Sequence, residues 1–137
     1  MTNFTFVIPA ISPSYNSMFK IIFSRRETYL KREAVQFKEL VKDFMRTKEF
    51  PGFKDRVLVE NGKNYPVKLS IRILAQTQWF FKNGKIKKQD IQNMDKLICD
   101  AVCEMLEIDD SHMWKVTSEK VQSEDKNITT VDIGINV

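Results

Sequence analysis

Apolar positions along the chain follow two periods. Over residues 28–47 they recur every three or four residues, at Leu30, Ala34, Phe37, Leu40, Val41, Phe44 and Met45, which predicts a helix with one buried face. Thr28 is a candidate cap. Glu49-Phe50-Pro51-Gly52 predicts the end of the element, because proline and glycine do not continue a helix. A second helix is predicted from Asp90 onward, where Ile91, Met94, Leu97, Ile98, Ala101, Val102 and Met105 repeat the spacing. The Asp90 carboxylate can accept amide protons of the first turn, with Asn93 in the reciprocating position.

Elsewhere the period is two. Residues 5–9, 57–60, 67–75, 113–121 and 128–137 read as strands. In 67–75, for example, Val67, Leu69, Ile71 and Ile73 alternate with Lys68, Ser70 and Arg72, so one face is buried and one is wet. Asn61-Gly62-Lys63-Asn64 gives a hairpin-like turn signal between two of these strands. The sum is an α+β fold in a single domain over 1–137. It has a mixed or antiparallel sheet of four to five strands, with two main helices packed on it.

Composition bounds the chemistry. A chain of 137 residues with 42% hydrophobic and 29% charged residues can bury one core. No apolar run reaches bilayer length, and the first ten residues, MTNFTFVIPA, read as a strand and not as a leader. Cys99 and Cys103 lie four apart on the second helix, where helical geometry disfavours a disulfide between them. No further Cys or suitably placed His completes a zinc site, so reduced thiols in a cytosolic protein are expected. The single histidine, His112, is expected at the surface.

The net charge of +4 is compatible with nucleic acid, and its distribution says more than its total. Lys20, Arg25, Arg26, Lys31 and Arg32 cluster early, in and after a loop that also carries Tyr15, Asn16, Phe19 and Phe23. Lys82, Lys85, Lys87 and Lys88 cluster just before Asp90. Aromatics between cations suit backbone contact and base stacking. Trp79-Phe80-Phe81 could meet a partner or DNA, with at least one ring anchored in the core or at a dimer interface. Acidic residues bracket the second helix: Asp90 at its start and Asp109-Asp110 after its end. Taken alone, these are equally a cap and a solvated turn.

Order and spacing add a family resemblance. The segment DIQNMDKLICDAV from Asp90 to Val102, with Asp109-Asp110 following, resembles the RusA-type Holliday junction resolvases. Their pattern is D-x-D-N-x-x-K-x-x-x-D-A-L followed by a D-D pair. IPAISPSYN is similar to that family's P-x-x-P-P-S-x-N segment, and Tyr29-Leu30-Lys31-Arg32-Glu33-Ala34 to the start of its first helix. The resemblance covers nearly the whole chain. It implies a crossover junction endodeoxyribonuclease, a homodimeric hydrolase that resolves four-way DNA junctions in recombination and repair by paired symmetrical nicks. Mg²⁺ or Mn²⁺ is the implied cofactor, with no small-molecule cofactor and no membrane partner.

On this resemblance Asp90, Lys96 and Asp110 are the expected catalytic residues, and Asp90, Gln92 and Asp110 the expected metal ligands. Asn16, Arg25, Arg26, Lys85, Lys87 and Lys88 are the expected DNA contacts. Localisation is expected to be the cytoplasm of a bacterium, with host, phage or prophage origin left open. Gln92 departs from the family's second Asp: its amide oxygen can ligate a hard cation but brings no charge. A weakened or inactive junction-binding protein on the same fold is therefore the second reading. A protein partner docking on Trp79-Phe80-Phe81 is the third.

Overall fold

Burial alternates strictly in three strands, β1 (Asn3–Ile8), β2 (Lys68–Thr77) and β4 (Ile128–Asn136), and is lost in a fourth, β3 (Met113–Gln122). This pattern belongs to a sheet covered on one face, with β3 at its rim. The computed structural model describes residues 2–13, 27–62, 66–87 and 95–136, with side chains from residue 32 onward in the second stretch. The strand order is β1-β4-β2-β3. β4 pairs antiparallel with β1 and β2, whereas β2 and β3 run parallel. The expected mixed α+β sheet is therefore present, with four strands.

Three helices are described: α1 (Glu27–Met45), α2 (Phe50–Asn61) and α3 (Lys96–Leu106). α3 lies in the crossover that a parallel β2–β3 pair requires. Phe37, Val41 and Met45 of α1 and Leu97, Ile98, Ala101, Val102 and Leu106 of α3 are buried. They form one core with Phe4, Phe6 and Ile8, Leu69, Ile71 and Ile73, and Val131, Ile133 and Ile135 from the sheet.

Several expectations are corrected. The stretch 57–60 is not a strand but the last turn of α2, and the chain thus has a third helix. Phe50, Phe53 and Val57 are spaced three and four apart and are all buried. Pro51 sits in the first turn, where no amide donor is needed, so Phe50-Pro51-Gly52 opens a helix instead of only closing one. The apolar run Val57-Leu58-Val59, with two β-branched valines, misled the sequence reading because tertiary burial outweighs local propensity. Gly62 then ends α2, its N–H directed at the Leu58 and Val59 carbonyls, so Asn61-Gly62 is a helix terminus, not a hairpin turn. Thr28 lies inside α1, which starts at Glu27. Phe44 is exposed, one position off the buried stripe. α3 begins at Lys96 with Asp95 as its N-cap residue, not at Asp90; Asp90, Ile91, Asn93 and Met94 lie outside the described residues. So do Tyr15, Phe19, Lys20 and Phe23.

An ionic clasp ties α1 to α3. Glu104 pairs with Lys38 at 2.5 Å and with Lys42 at 2.6 Å. Hydrogen bonds from Lys38 and then Lys42 hold its carboxyl below the usual range, and the Glu104 partner raises the Lys42 ammonium. A carboxyl lowered on folding stabilises fully above its ordinary value of 4.5 and loses that contribution as pH falls through the lower, folded value. Because the carboxylate is 45% exposed, solvent screening keeps the contribution small. Glu104→Gln should cost about 0.5–1 kcal/mol at neutral pH in urea unfolding. The gap to the wild type should close in strong acid.

Among the described residues no helix is long and apolar enough to cross a membrane.

Candidate active site

The site is built around the two ends of α3. Lys96 is its first residue, and Asp100 follows one turn later on the same face. The Lys96 Nζ lies 3.4 Å from Asp100 Oδ1 and 3.9 Å from Asp110 Oδ2. A lysine at the start of the helix and a carboxylate beyond its end thus converge.

Local structure explains how Asp110 arrives there. At Glu107 the backbone turns left-handed, with φ of 58°. The Ile108 N–H then bonds to the Cys103 carbonyl at 3.1 Å, folding the chain back across the end of the helix. A 3₁₀ turn, Asp110–His112, follows and leads straight into β3. His112 Nδ1 lies 2.8 Å from the Val67 carbonyl and pins the turn beside the start of β2. The Ser111 hydroxyl donates to Asp109 at 2.7 Å and holds that carboxyl below the usual range.

An open hollow of about 210 Å³ lies beside the turn, with Asp100, Cys103, Asp109 and Asp110 in its lining. Burial pushes the Cys103 thiol up to about 11, and the Asp110, Asp100 and Asp109 carboxylates add to the effect. Burial likewise raises Cys99 to about 12. Both cysteines are free, as expected; Cys103 is buried and Cys99 half-buried. A protonated thiol is a poor ligand for a hard cation. The donors offered to the hollow are therefore carboxylate oxygens, a set that fits Mg²⁺ or Mn²⁺. Among the described residues no three His, Cys, Asp or Glu side chains gather as a complete metal-holding group.

Of the sequence-predicted site residues, Lys96 and Asp110 are brought together. Asp90, Gln92, Lys88, Asn16, Arg25 and Arg26 lie outside the described residues. Lys85 and Lys87 sit on a small hairpin closed by the Phe80–Ile86 bridge, which turns at Gly84 with φ of 82°. The Lys87 Nζ is 5.9 Å from the centre of the Phe81 ring, and both Phe80 and Phe81 are exposed. Trp79 is the core anchor expected among the three aromatics: it is buried, and its indole N–H donates to the Ala75 carbonyl at 3.1 Å. Asp100 matches the helix Asp of the family motif but was given no role among the expected site residues; its four-residue spacing from Lys96 was a further signal.

A protein-family comparison matches residues 10–134 to the model for Endodeoxyribonuclease RusA. The chain belongs to the RusA endodeoxyribonuclease family. A search of curated proteins found no match. RusA-family proteins act in general as Holliday junction resolvases on branched DNA, and their nuclease activity generally depends on a divalent metal. The Lys96–Asp100–Asp110 group lies within the matched span.

Proposed function

We propose that the chain is a metal-dependent, structure-selective endodeoxyribonuclease that resolves four-way DNA junctions by paired symmetrical nicks. In this reading residues 1–137 form one RusA-like domain that works as a homodimer in the bacterial cytoplasm, encoded by the host or by a phage. The observation that carries it is the approach of Lys96 to Asp110 from opposite ends of α3, in a chain matched to RusA over residues 10–134.

Asp90, Gln92 and Asp110 would hold Mg²⁺ or Mn²⁺ through two carboxylates and one amide oxygen. The bound cation would supply an activated water and neutralise charge on the scissile phosphate. Lys96 brings positive charge to where negative charge develops in the transition state. Asp100, 3.4 Å from its ammonium, keeps that side chain on the site face of the helix. Lys85, Lys87, Lys88, Arg25, Arg26 and Asn16 contact phosphates, which orient the substrate without reading its sequence. Two symmetrical cuts call for two such sites, which a two-fold dimer provides.

Gln92 supports a second reading, a junction-binding protein whose cleavage is weak or lost. Both are tested by incubating a synthetic four-way junction with Mg²⁺ or Mn²⁺ and wild type, Asp90→Asn or Gln92→Asp. Paired symmetrical nicks by wild type, abolished in Asp90→Asn, are the expected result. Binding without cutting by wild type, with cutting gained in Gln92→Asp, would establish the second reading. Absence of both binding and cutting in every variant would refute both.

A further inference from the structure

The turn that carries Asp110 also forms a wall of a second hollow. It measures about 560 Å³ and is lined by Pro66, Lys68, Ser111, His112 and Trp114. We propose that this hollow takes up one unpaired nucleotide of the branched DNA, with its base on the Trp114 ring and its phosphate beside Lys68. The inference rests on the junction-nuclease reading above and adds to it a site for the strand next to the cut.

Trp114 is 65% exposed, the highest value among the large exposed hydrophobics of the described residues. It stands on β3, the rim strand, where nothing in the core needs it. The Lys68 Nζ lies 4.2 Å from the ring centre. An indole with a cation over one face suits single-stranded nucleic acid: a base stacks on the other face, and the cation meets the phosphate. The volume falls within the roughly 300–1,000 Å³ typical of small-molecule pockets, enough for one nucleotide.

The walls are fixed before any ligand arrives. A carbonyl can only accept, so His112 Nδ1 is the donor in its bond to Val67, and Nε2 is the acceptor of the neutral ring. The Ser111 hydroxyl is anchored on Asp109. Asp110, Ser111 and His112 form a single 3₁₀ turn, so a nucleotide seated here lies against Ser111 and His112, next in the chain to the site carboxylate. A nucleotide enters the hollow by leaving its stack, which costs least where pairing is already disturbed, and the branch point is where a junction's helices are interrupted. Occupation of the hollow would set which phosphate lies at Asp110.

Trp114 supplies its own reporter. The other tryptophan, Trp79, is buried and bonded to Ala75, so quenching by added DNA reads Trp114. The full chain is titrated with single-stranded oligo(dT) without divalent metal, so that nothing is cut. Saturable quenching is expected, and Trp114→Phe should lose the signal while keeping the affinity, because a ring remains. Trp114→Ala should bind the strand about tenfold more weakly. Binding with unchanged Trp114 emission would overturn the proposal, as would equal affinity in Trp114→Ala. Emission that shifts with protein concentration alone would assign the ring to a second copy of the chain and overturn it too. The companion assay is junction cleavage, in which Trp114→Ala should scatter the cut positions. Normal, unscattered cutting by this variant would sink the nucleotide site and leave the nuclease reading intact. A wild type that quenches on oligo(dT) but never cuts junctions would do the reverse.

Discussion

Asp110→Asn is expected to leave the protein folded and able to bind four-way junctions while lowering its cleavage rate at least about a hundredfold, the scale seen when one preorganised electrostatic group is removed from an active site. Asp110 is 59% exposed and lies 3.9 Å from the Lys96 ammonium. Removing its charge therefore strips nothing from the core, and urea midpoints should match the wild type within experimental scatter. The loss should appear in the rate at saturating junction and not in affinity, since basic residues elsewhere carry the phosphate contacts. Asp109→Asn is the matched control. Its carboxylate accepts a hydrogen bond from the Ser111 hydroxyl at 2.7 Å. It should cut within about tenfold of wild type, a loss typical of a group that orients others. Equal losses from the two substitutions would mean that general negative potential, not Asp110 itself, is what the site uses.

What could be read from the sequence divides along physical lines. Strands β2 and β4 were legible because a half-buried sheet imposes period two, and their register leaves Leu69, Ile71 and Ile73 beside Ile135, Ile133 and Val131. The buried faces of α1 and α3 were legible through the same logic at period 3.6. The helix over residues 50–61 was not, because its exposed face carries Leu58 and Val59, and exposed apolar residues erase the amphipathic contrast. Lys96 and Asp110 were legible only through the resemblance to RusA. Fourteen positions separate them in the chain, and nothing in the spacing says that a left-handed turn at Glu107 folds one back toward the other. The Trp114 hollow escaped for a related reason. In an alternating strand, Trp114 and Val116 read as buried positions, but both are exposed on β3, an edge strand without the buried face that β1 has at the other edge.

Phe53→Ala should be the most destabilising single truncation in α2, by about 3–5 kcal/mol, a large share of the roughly 5–15 kcal/mol that holds a domain of this kind folded. Phe53 is fully buried, and its ring stacks on Phe4 at 5.5 Å with an interplanar angle of 23°. Phe4 in turn meets Phe50 and Phe6, each at 5.6 Å. This aromatic cluster packs α2 against β1, so removing the Phe53 ring opens a cavity that neighbouring rigid rings cannot fill. The neighbouring valines test the helical phase itself. In a strand, Val57 and Val59 would share a face and respond alike. In the helix Val57 is fully buried and Val59 is 57% exposed. Val57→Ala should therefore cost about 2 kcal/mol or more, and Val59→Ala less than about 0.5 kcal/mol, in urea unfolding. Matching costs at the two positions would restore the strand and dissolve the case for α2, because a period of two is the one arrangement that buries both.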